Sequence, residues 1–172
     1  ARRGNAPIAI IASSISLRAE LALVYMHCGE SKKAYSIIEQ ALQFAEEKQP
    51  AWRTFPQAVK VRMHLLEGDL HSAEETAGSK PIRPTSIPYA RYTIFVCLAN
   101  IELAVAKKDY NKALTLIEKL LDEVTPLTRV DVPDVLRLKG TSFMGLGRYD
   151  EALLTLTSAC SLAKESGSNP NL

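Results

Sequence analysis

The sequence lacks the features that mark several common classes of protein. Its 21 basic and 19 acidic residues are mixed along the chain and leave a net charge of only +2. There is thus no basic stripe of the kind that attracts nucleic-acid phosphates. Apolar residues make up 47% of the 172 positions, which is too high a share for a disordered chain. We therefore expect a folded domain that does not bind nucleic acid directly.

No apolar run reaches the ~18 to 20 residues that a membrane span requires. The most apolar stretch, residues 8–23, is interrupted by three serines and two charged residues: Ser13, Ser14, Ser16, Arg18 and Glu20. No small-residue cleavage site of a signal peptide accompanies it. We interpret the stretch as a core helix of a cytoplasmic protein without a membrane segment.

Cysteine and histidine are scarce, and their placement favours neither disulfides nor metal. The three cysteines, Cys28, Cys97 and Cys160, are an odd number, and each lies in an apolar helical pattern. They are predicted to be reduced core thiols. His27 and Cys28 are neighbours, but adjacent helical residues point about 100° apart and cannot chelate one ion without further partners. No metal site is predicted.

Catalytic and cofactor motifs are also missing. The sequence contains no Gly-x-x-x-x-Gly-Lys-Ser/Thr phosphate loop and no nucleophile elbow. The run Gly145-Leu146-Gly147 has no third glycine at dinucleotide-binding spacing, and a turn between helices explains it better. We therefore predict neither an enzyme nor a bound cofactor.

What the sequence does have is a repeat. Ala34, Ala73, Ala113 and Ala152 recur at intervals of 39, 40 and 39 residues, each within a similar short phrase such as Gly147-Arg148-Tyr149-Asp150-Glu151-Ala152. Each phrase lies between two segments with helical apolar periodicity. A fixed period of this length marks stacked supersecondary units. The pattern predicts an all-α, right-handed solenoid of about four helix-turn-helix repeats.

The predicted repeats span residues 7–50, 52–80, 88–125 and 133–167 of a single domain. Several prolines predict an exposed loop at 78–88, and Pro133 suits the first turn of a helix. The face of the first helix is predicted to comprise Ile8, Ile11, Ile15, Leu17, Leu21, Val24, Tyr25 and Cys28. Because the chain begins at Ala1 and stops where a new segment starts, we expect a fragment of a larger protein.

The turn phrases resemble those of tetratricopeptide repeats, with Gly140 and Phe143 at the small and aromatic positions of the preceding helix. In repeat three, Lys107 and Lys108 replace the usual small residue and glycine. More specifically, the run 61–70 and the segments 88–92 and 98–104 resemble the sensor region of MalT-type ATP-dependent transcriptional regulators. That resemblance implies a sensor domain of a multidomain regulator whose ATPase lies elsewhere.

In stacked hairpins the first helices line the concave side, which places a set of mostly apolar side chains there. The candidate groove residues for a ligand or partner are Met26, Phe55, Arg62, Leu65, Phe95, Glu102 and Arg137, with Leu23, His27, Leu98, Val105 and Met144 alongside. Many of the apolar members would serve equally well as packing between repeats. A charge on a mostly apolar helix either reaches solvent or recognises a polar group.

The predicted function is binding of a protein partner or small effector in this groove. Two alternatives remain open from the sequence. One is an adaptor that gathers proteins and binds no small molecule, and the other is a regulatory repeat region of a nucleotide cyclase or kinase. An exposed apolar end of the repeat stack would also allow homodimers.

Overall fold

The structure is a computed structural model that describes residues 8–79, 90–122 and 131–165. Within these ranges the chain forms eight α-helices and a short 3-10 helix, Pro50–Arg53, and contains no strand. The α-helices are α1 (Ile8–His27), α2 (Ser31–Lys48), α3 (Thr54–Leu66), α4 (Leu70–Ser79), α5 (Ala90–Ala106), α6 (Tyr110–Asp122), α7 (Val132–Gly145) and α8 (Tyr149–Glu165). The prediction of an all-α helical-repeat fold is confirmed.

Four tight turns join consecutive helices, and all four have the same backbone geometry. Their left-handed residues are Gly29, Gly68, Lys108 and Gly147, with φ of 77°, 76°, 60° and 74°. In the last turn the amide of Gly147 donates to the carbonyl of Met144 at 3.1 Å, and the amide of Arg148 donates to that of Phe143 at 2.9 Å. The equivalent two bonds close the other three turns. This is the Schellman motif, which satisfies the last carbonyls of a helix.

The repeating alanines occupy one structural position. Each donates its amide to the carbonyl four residues earlier, at 3.0 or 3.1 Å, and so begins the hydrogen-bond ladder of the second helix. Ala34, Ala73 and Ala113 are fully buried, and Ala152 is 2% exposed. A methyl group at this point lets the two helices of a hairpin approach closely. The register predicted from the 39- and 40-residue intervals is therefore the register of the fold.

The described helices form two compact units that divide the chain after Val96, within α5. In the first unit α1 packs on α2 and α3, and α3 packs on α4. Its largest fully buried side chains are those of Ile15, Ile38, Phe55, Val59, Val61 and Met63. In the second unit α7 packs on α6 and α8. There Leu114, Phe143 and Ala152 form a cluster with the half-buried Leu146 against it.

The predicted face of α1 is wrong for most of its members, although Ile15 is buried as predicted. Its buried residues are Ala12, Ile15, Ser16, Ala19, Ala22 and Met26, whereas Leu17, Leu21 and Val24 are 66%, 44% and 55% exposed. The helix is apolar nearly all round, so periodicity alone does not identify the inward side. Small residues are buried because they allow the neighbouring helices to come close.

Among the described residues, α1 is the one helix that is long and apolar enough to cross a bilayer, and 28% of its apolar window is buried. Core helices and signal sequences share this length and composition. Here α1 packs on α2 and α3 through the small-residue face.

Three further expectations need comment. Cys28 and Cys160 are exposed and Cys97 is half-buried, so the prediction of core thiols is wrong for the first two. Pro133 lies in the first turn of α7, as predicted. The loop predicted at 78–88 starts too early, since α4 continues through Ser79, and its remainder lies outside the described residues, as does the connector 123–130.

Candidate functional site

The first unit contains a cleft of about 230 Å³ between α1, α3 and α5, which we call the aromatic cleft. Its lining residues are Glu20, Leu23, Val24, His27, Phe55, Tyr92 and Phe95. The four residues from α1 follow the spacing i, i+3, i+4, i+7, so they lie on one side of that helix. The ring of Phe55 comes from the first turn of α3, and those of Tyr92 and Phe95 come from the first two turns of α5.

The aromatic rings of the cleft hold one another in edge-to-face contact. The Phe55 ring lies 4.7 Å from that of Tyr92 and 5.3 Å from that of Phe95, centroid to centroid. Trp52, from the 3-10 helix, contacts Tyr92 at 5.5 Å. Edge-to-face aromatic pairs contribute about 0.5 to 1.5 kcal/mol beyond their burial. The rings of the cleft wall are thus packed against one another.

Two charged side chains flank the rings. The guanidinium of Arg62 lies over the Phe95 ring, 4.5 Å from its centroid. The carboxylate of Glu20 lines the cleft itself. No hydrogen bond or ion pair of Glu20 occurs within the described part of the chain. The aromatic cleft therefore combines apolar walls, the half-buried rings of Tyr92 and Phe95, and one carboxylate without a partner among the described residues.

A second cleft of about 410 Å³ lies between α2, α3 and α4, and its lining is polar. Lys60 Nζ pairs with Glu39 Oε1 at 2.6 Å, and Arg53 Nε pairs with a carboxylate oxygen of Glu46 at 3.1 Å. The buried amide of Gln57 accepts from Arg53 at 3.1 Å and donates to the carbonyl of Thr76 at 2.7 Å. Both basic side chains of this cleft are engaged with carboxylates, and together with Gln57 they form a structural network that ties three helices together.

Tyr35 extends the network at the edge of the polar cleft. Its hydroxyl donates to Glu67 at 2.7 Å and lies 3.0 Å from Nδ1 of His64, whose N–H then donates to the phenol oxygen. Burial, followed by the hydrogen bond to Glu67, raises the pKa of Tyr35. Burial, followed by the charge of Lys60, lowers the pKa of His64. Near neutral pH this arrangement therefore favours a neutral imidazole between α2 and α3.

The structure places the predicted groove residues of the first unit in different surroundings. Phe95 lines the aromatic cleft and is half-buried, with Arg62 on its ring. Phe55 also lines it, although the side chain is 1% exposed. Met26 is 8% exposed and accepts a hydrogen bond from Ser31 through its sulfur. Leu65 is half-buried outside the cleft lining. Met26 is a packing residue, and a binding role for the others stays a prediction.

The predicted residues of the second unit lie on α5 and α7. Glu102 is half-buried on α5. Arg137 is exposed on α7, and its Nε lies 3.5 Å from Oδ1 of Asp134 in the preceding turn. Among the accompanying candidates, Met144 is 52% exposed and Leu98 is buried. A role of Glu102 and Arg137 in binding stays a prediction.

The sequence contains one indication of the aromatic cleft, which is a repeated pair of aromatic residues. Neither the composition nor the predicted helix faces point to it. Trp52 and Phe55 stand three residues apart, and Tyr92 and Phe95 repeat that spacing 40 residues later. The interval is that of the register alanines. Two aromatic pairs thus occupy equivalent places at the start of repeats two and three. Their rings contact one another, and those of Phe55, Tyr92 and Phe95 line the cleft.

A comparison with known families decides the classification. The family model of the MalT-like TPR region matches residues 8–168. The chain belongs to this family. No curated protein and no solved structure matches the chain. The resemblance to the MalT-type sensor region is confirmed at the level of the family, and this MalT-like TPR region is a helical-repeat scaffold.

The MalT-like TPR region offers no metal-binding cluster in its described ranges, since no three His, Cys, Asp or Glu side chains converge there. Ring faces and aliphatic side chains can bury apolar atoms, and a single carboxylate can select for charge.

Proposed function

We propose that this domain is the sensor or regulatory segment of a multidomain cytoplasmic transcriptional regulator, and that it receives an effector or a partner segment in the aromatic cleft. The segment itself would not contact nucleic acid. The cleft is the observation that carries the proposal. It presents rings from two successive repeats beside a carboxylate that has no partner among the described residues, whereas the basic side chains of the polar cleft, Arg53 and Lys60, already pair with carboxylates.

The binding role can be tested by calorimetry with a matched pair of variants. Phe95 and Phe44 are both half-buried, and each carries an arginine guanidinium over its ring, at 4.5 and 4.8 Å. Only Phe95 lines the aromatic cleft. We expect a metabolite that binds the native domain saturably, as measured by the heat of titration, to bind Phe44→Ala as well. The same metabolite should not bind Phe95→Ala. Equal loss from both variants would refute binding in the aromatic cleft.

The regulator context has a separate test. The full-length gene product should carry a phosphate-loop ATPase module before this segment and a helix-turn-helix after it. Absence of both would remove the transcriptional proposal and leave the binding scaffold. A cyclase or kinase domain in the flanks would instead favour the regulatory region of a signalling enzyme.

An adaptor without a small-molecule ligand is the second candidate, and one observation favours it. α8 exposes Tyr149, Leu153 and Leu154 at 71%, 70% and 72%, and exposed apolar faces often bind proteins. The same face could pair two copies of the domain. Sedimentation velocity should then show association that Leu154→Glu abolishes. Saturable binding of a small molecule in the calorimetric screen would count against an adaptor that binds only proteins.

A further inference from the structure

The aromatic cleft has the composition of a site for an organic cation. The half-buried rings of Tyr92 and Phe95, the buried ring of Phe55 and a carboxylate line one space of about 230 Å³. The face of an aromatic ring carries a partial negative charge and attracts ammonium and guanidinium groups. Phe95 already holds one such group, since Arg62 lies over it. A second cation would find ring surface and a counter-charge in the same place.

Glu20 decides the sign of the preferred occupant. It is the acidic residue among those that line the cleft, and no partner among the described residues neutralises it. Two basic residues of the same helix lie near Glu20. His27 lines the cleft two turns further along the helix. Arg18 is directed elsewhere: it bonds Ser14 Oγ at 2.6 Å and lies over Phe44. Because Arg18 and Glu20 are two residues apart, their side chains do not face each other, and an incoming cation would meet the carboxylate without competition from Arg18.

The surroundings of the cleft indicate where that cation comes from. Val24 lines the cleft and also ends a row of exposed apolar side chains on α1, preceded by Leu21, Leu17 and Ile10. These positions are separated by three, four and seven residues, so they follow one side of the helix. A free amine would leave that row uncovered. A chain segment with one basic side chain and apolar neighbours would cover both.

We propose that the aromatic cleft takes a lysine or arginine side chain from a partner protein, with the basic group between Glu20 and the rings of Tyr92 and Phe95, and with flanking apolar residues on the exposed row of α1. This proposal rests on the proposed function, because it names the occupant of the same cleft. The volume fits one long side chain, whose aliphatic stem contacts Leu23 and Val24.

Three probes with one butyl stem test the charge preference. They are n-butylammonium, which reproduces the lysine side chain, 1-butanol, which is neutral, and valerate, which is anionic. Amide chemical shifts of the cleft residues should move saturably with n-butylammonium and at least fivefold more weakly with the other two. Glu20→Gln should weaken n-butylammonium binding about fivefold, the loss of one charge-assisted contact. Glu47→Gln removes an exposed charge from α2 and should have no effect.

The source of the cation is tested with peptides. An acetylated and amidated twelve-residue peptide with one lysine between leucines should bind at least tenfold more tightly than n-butylammonium. Replacing its lysine by norleucine, or Leu21 of the domain by glutamine, should remove that gain. If the peptide binds no better than n-butylammonium, the partner-protein source is wrong and the site is one for small amines.

The preference of the cleft for cations and its role as the binding site can be refuted separately. Equal or tighter binding of 1-butanol or valerate in the cleft would overturn the cation preference and leave the proposed function standing. Binding of none of the three probes, together with a metabolite screen that places no ligand in the cleft, would overturn both. Phe95→Leu keeps an apolar side chain but removes the ring. Its loss of n-butylammonium binding, against retention in Phe44→Leu, separates cation recognition from apolar contact.

Discussion

Lys108 offers the clearest test of how the repeat geometry contributes to stability. It occupies the left-handed position that glycine occupies in the other three turns, and it makes the same two hydrogen bonds. For a residue with a β-carbon, this conformation reduces the free energy of unfolding by about 1 to 2 kcal/mol. Glycine adopts this conformation without that cost. However, glycine gives the unfolded chain more conformational entropy, which lowers the free energy of unfolding by about 0.4 to 1 kcal/mol. Lys108→Gly should therefore stabilise the domain by about 0.5 to 1 kcal/mol.

The reverse substitution provides the matched control within the same unit. A β-carbon on Gly147 would meet no atom within 4 Å, so Gly147→Ala changes backbone strain without a clash. Here the backbone strain is gained and the unfolded-state entropy is reduced, so Gly147→Ala should destabilise the domain by about 0.5 to 1 kcal/mol. With a urea m-value of about 2 kcal/mol/M, both shifts are about 0.3 to 0.5 M.

Urea unfolding followed by circular dichroism at 222 nm measures both variants. We expect the midpoint to rise for Lys108→Gly and to fall for Gly147→Ala, at unchanged slopes. Repeat proteins can unfold in stages, so coincidence of the transition with a second probe establishes that one midpoint describes the process. A lower midpoint for Lys108→Gly, or shifts of the same sign in both variants, would refute the reasoning from the left-handed turn.

Three further predictions follow from packing and protonation. Gly140→Ala should cost about 1 to 3 kcal/mol in a thermal melt, since its β-carbon would lie 2.5 Å from Leu156 Cγ in the α7 and α8 hairpin; an unchanged melt would contradict this packing. Ala113→Leu should cost a similar ~1 to 3 kcal/mol by overpacking a fully buried position, and a neutral result would contradict the register. Burial lowers the pKa of His64 in the fold. The free energy of unfolding should therefore be highest above the unfolded pKa of about 6.5, and it should decrease as the pH drops from there through the folded pKa. His64→Gln should flatten that dependence between pH 7.5 and 5, measured by urea unfolding with Trp52 fluorescence, and an equally steep dependence in this variant would assign it to other groups.

The helices and their register were predictable because the turn chemistry repeats locally. The glycine turns, the register alanines and Pro133 each act within a few residues of the chain, so their effects are visible in sequence. Lys108 was recognised as a departure from the family pattern, and it adopts the same left-handed conformation. Local rules therefore sufficed for the hairpins.

The buried side of α1 and the membership of the aromatic cleft depended on contacts between distant segments. α1 is apolar on nearly every side, so hydrophobicity did not distinguish Ala19 from Leu17 as the buried residue. Groove residues were predicted by counting from the register alanines, which found Phe55 and Phe95 but missed Tyr92 and Glu20. The repeated aromatic pair was a usable indication of Tyr92, whereas nothing local distinguishes Glu20 from other helical glutamates.

The central claim is that the aromatic cleft is the ligand-binding surface of this domain, and mapping bound fragments tests it most directly. Amide spectra of the isotope-labelled domain, recorded against a general library of small fragments, report where each fragment binds. The account predicts that saturable shifts concentrate on Leu23, His27, Tyr92 and Phe95, and that Phe95→Ala removes them. Fragments that gather in the polar cleft beside Lys60 and Gln57, and leave the aromatic cleft unperturbed, would contradict it.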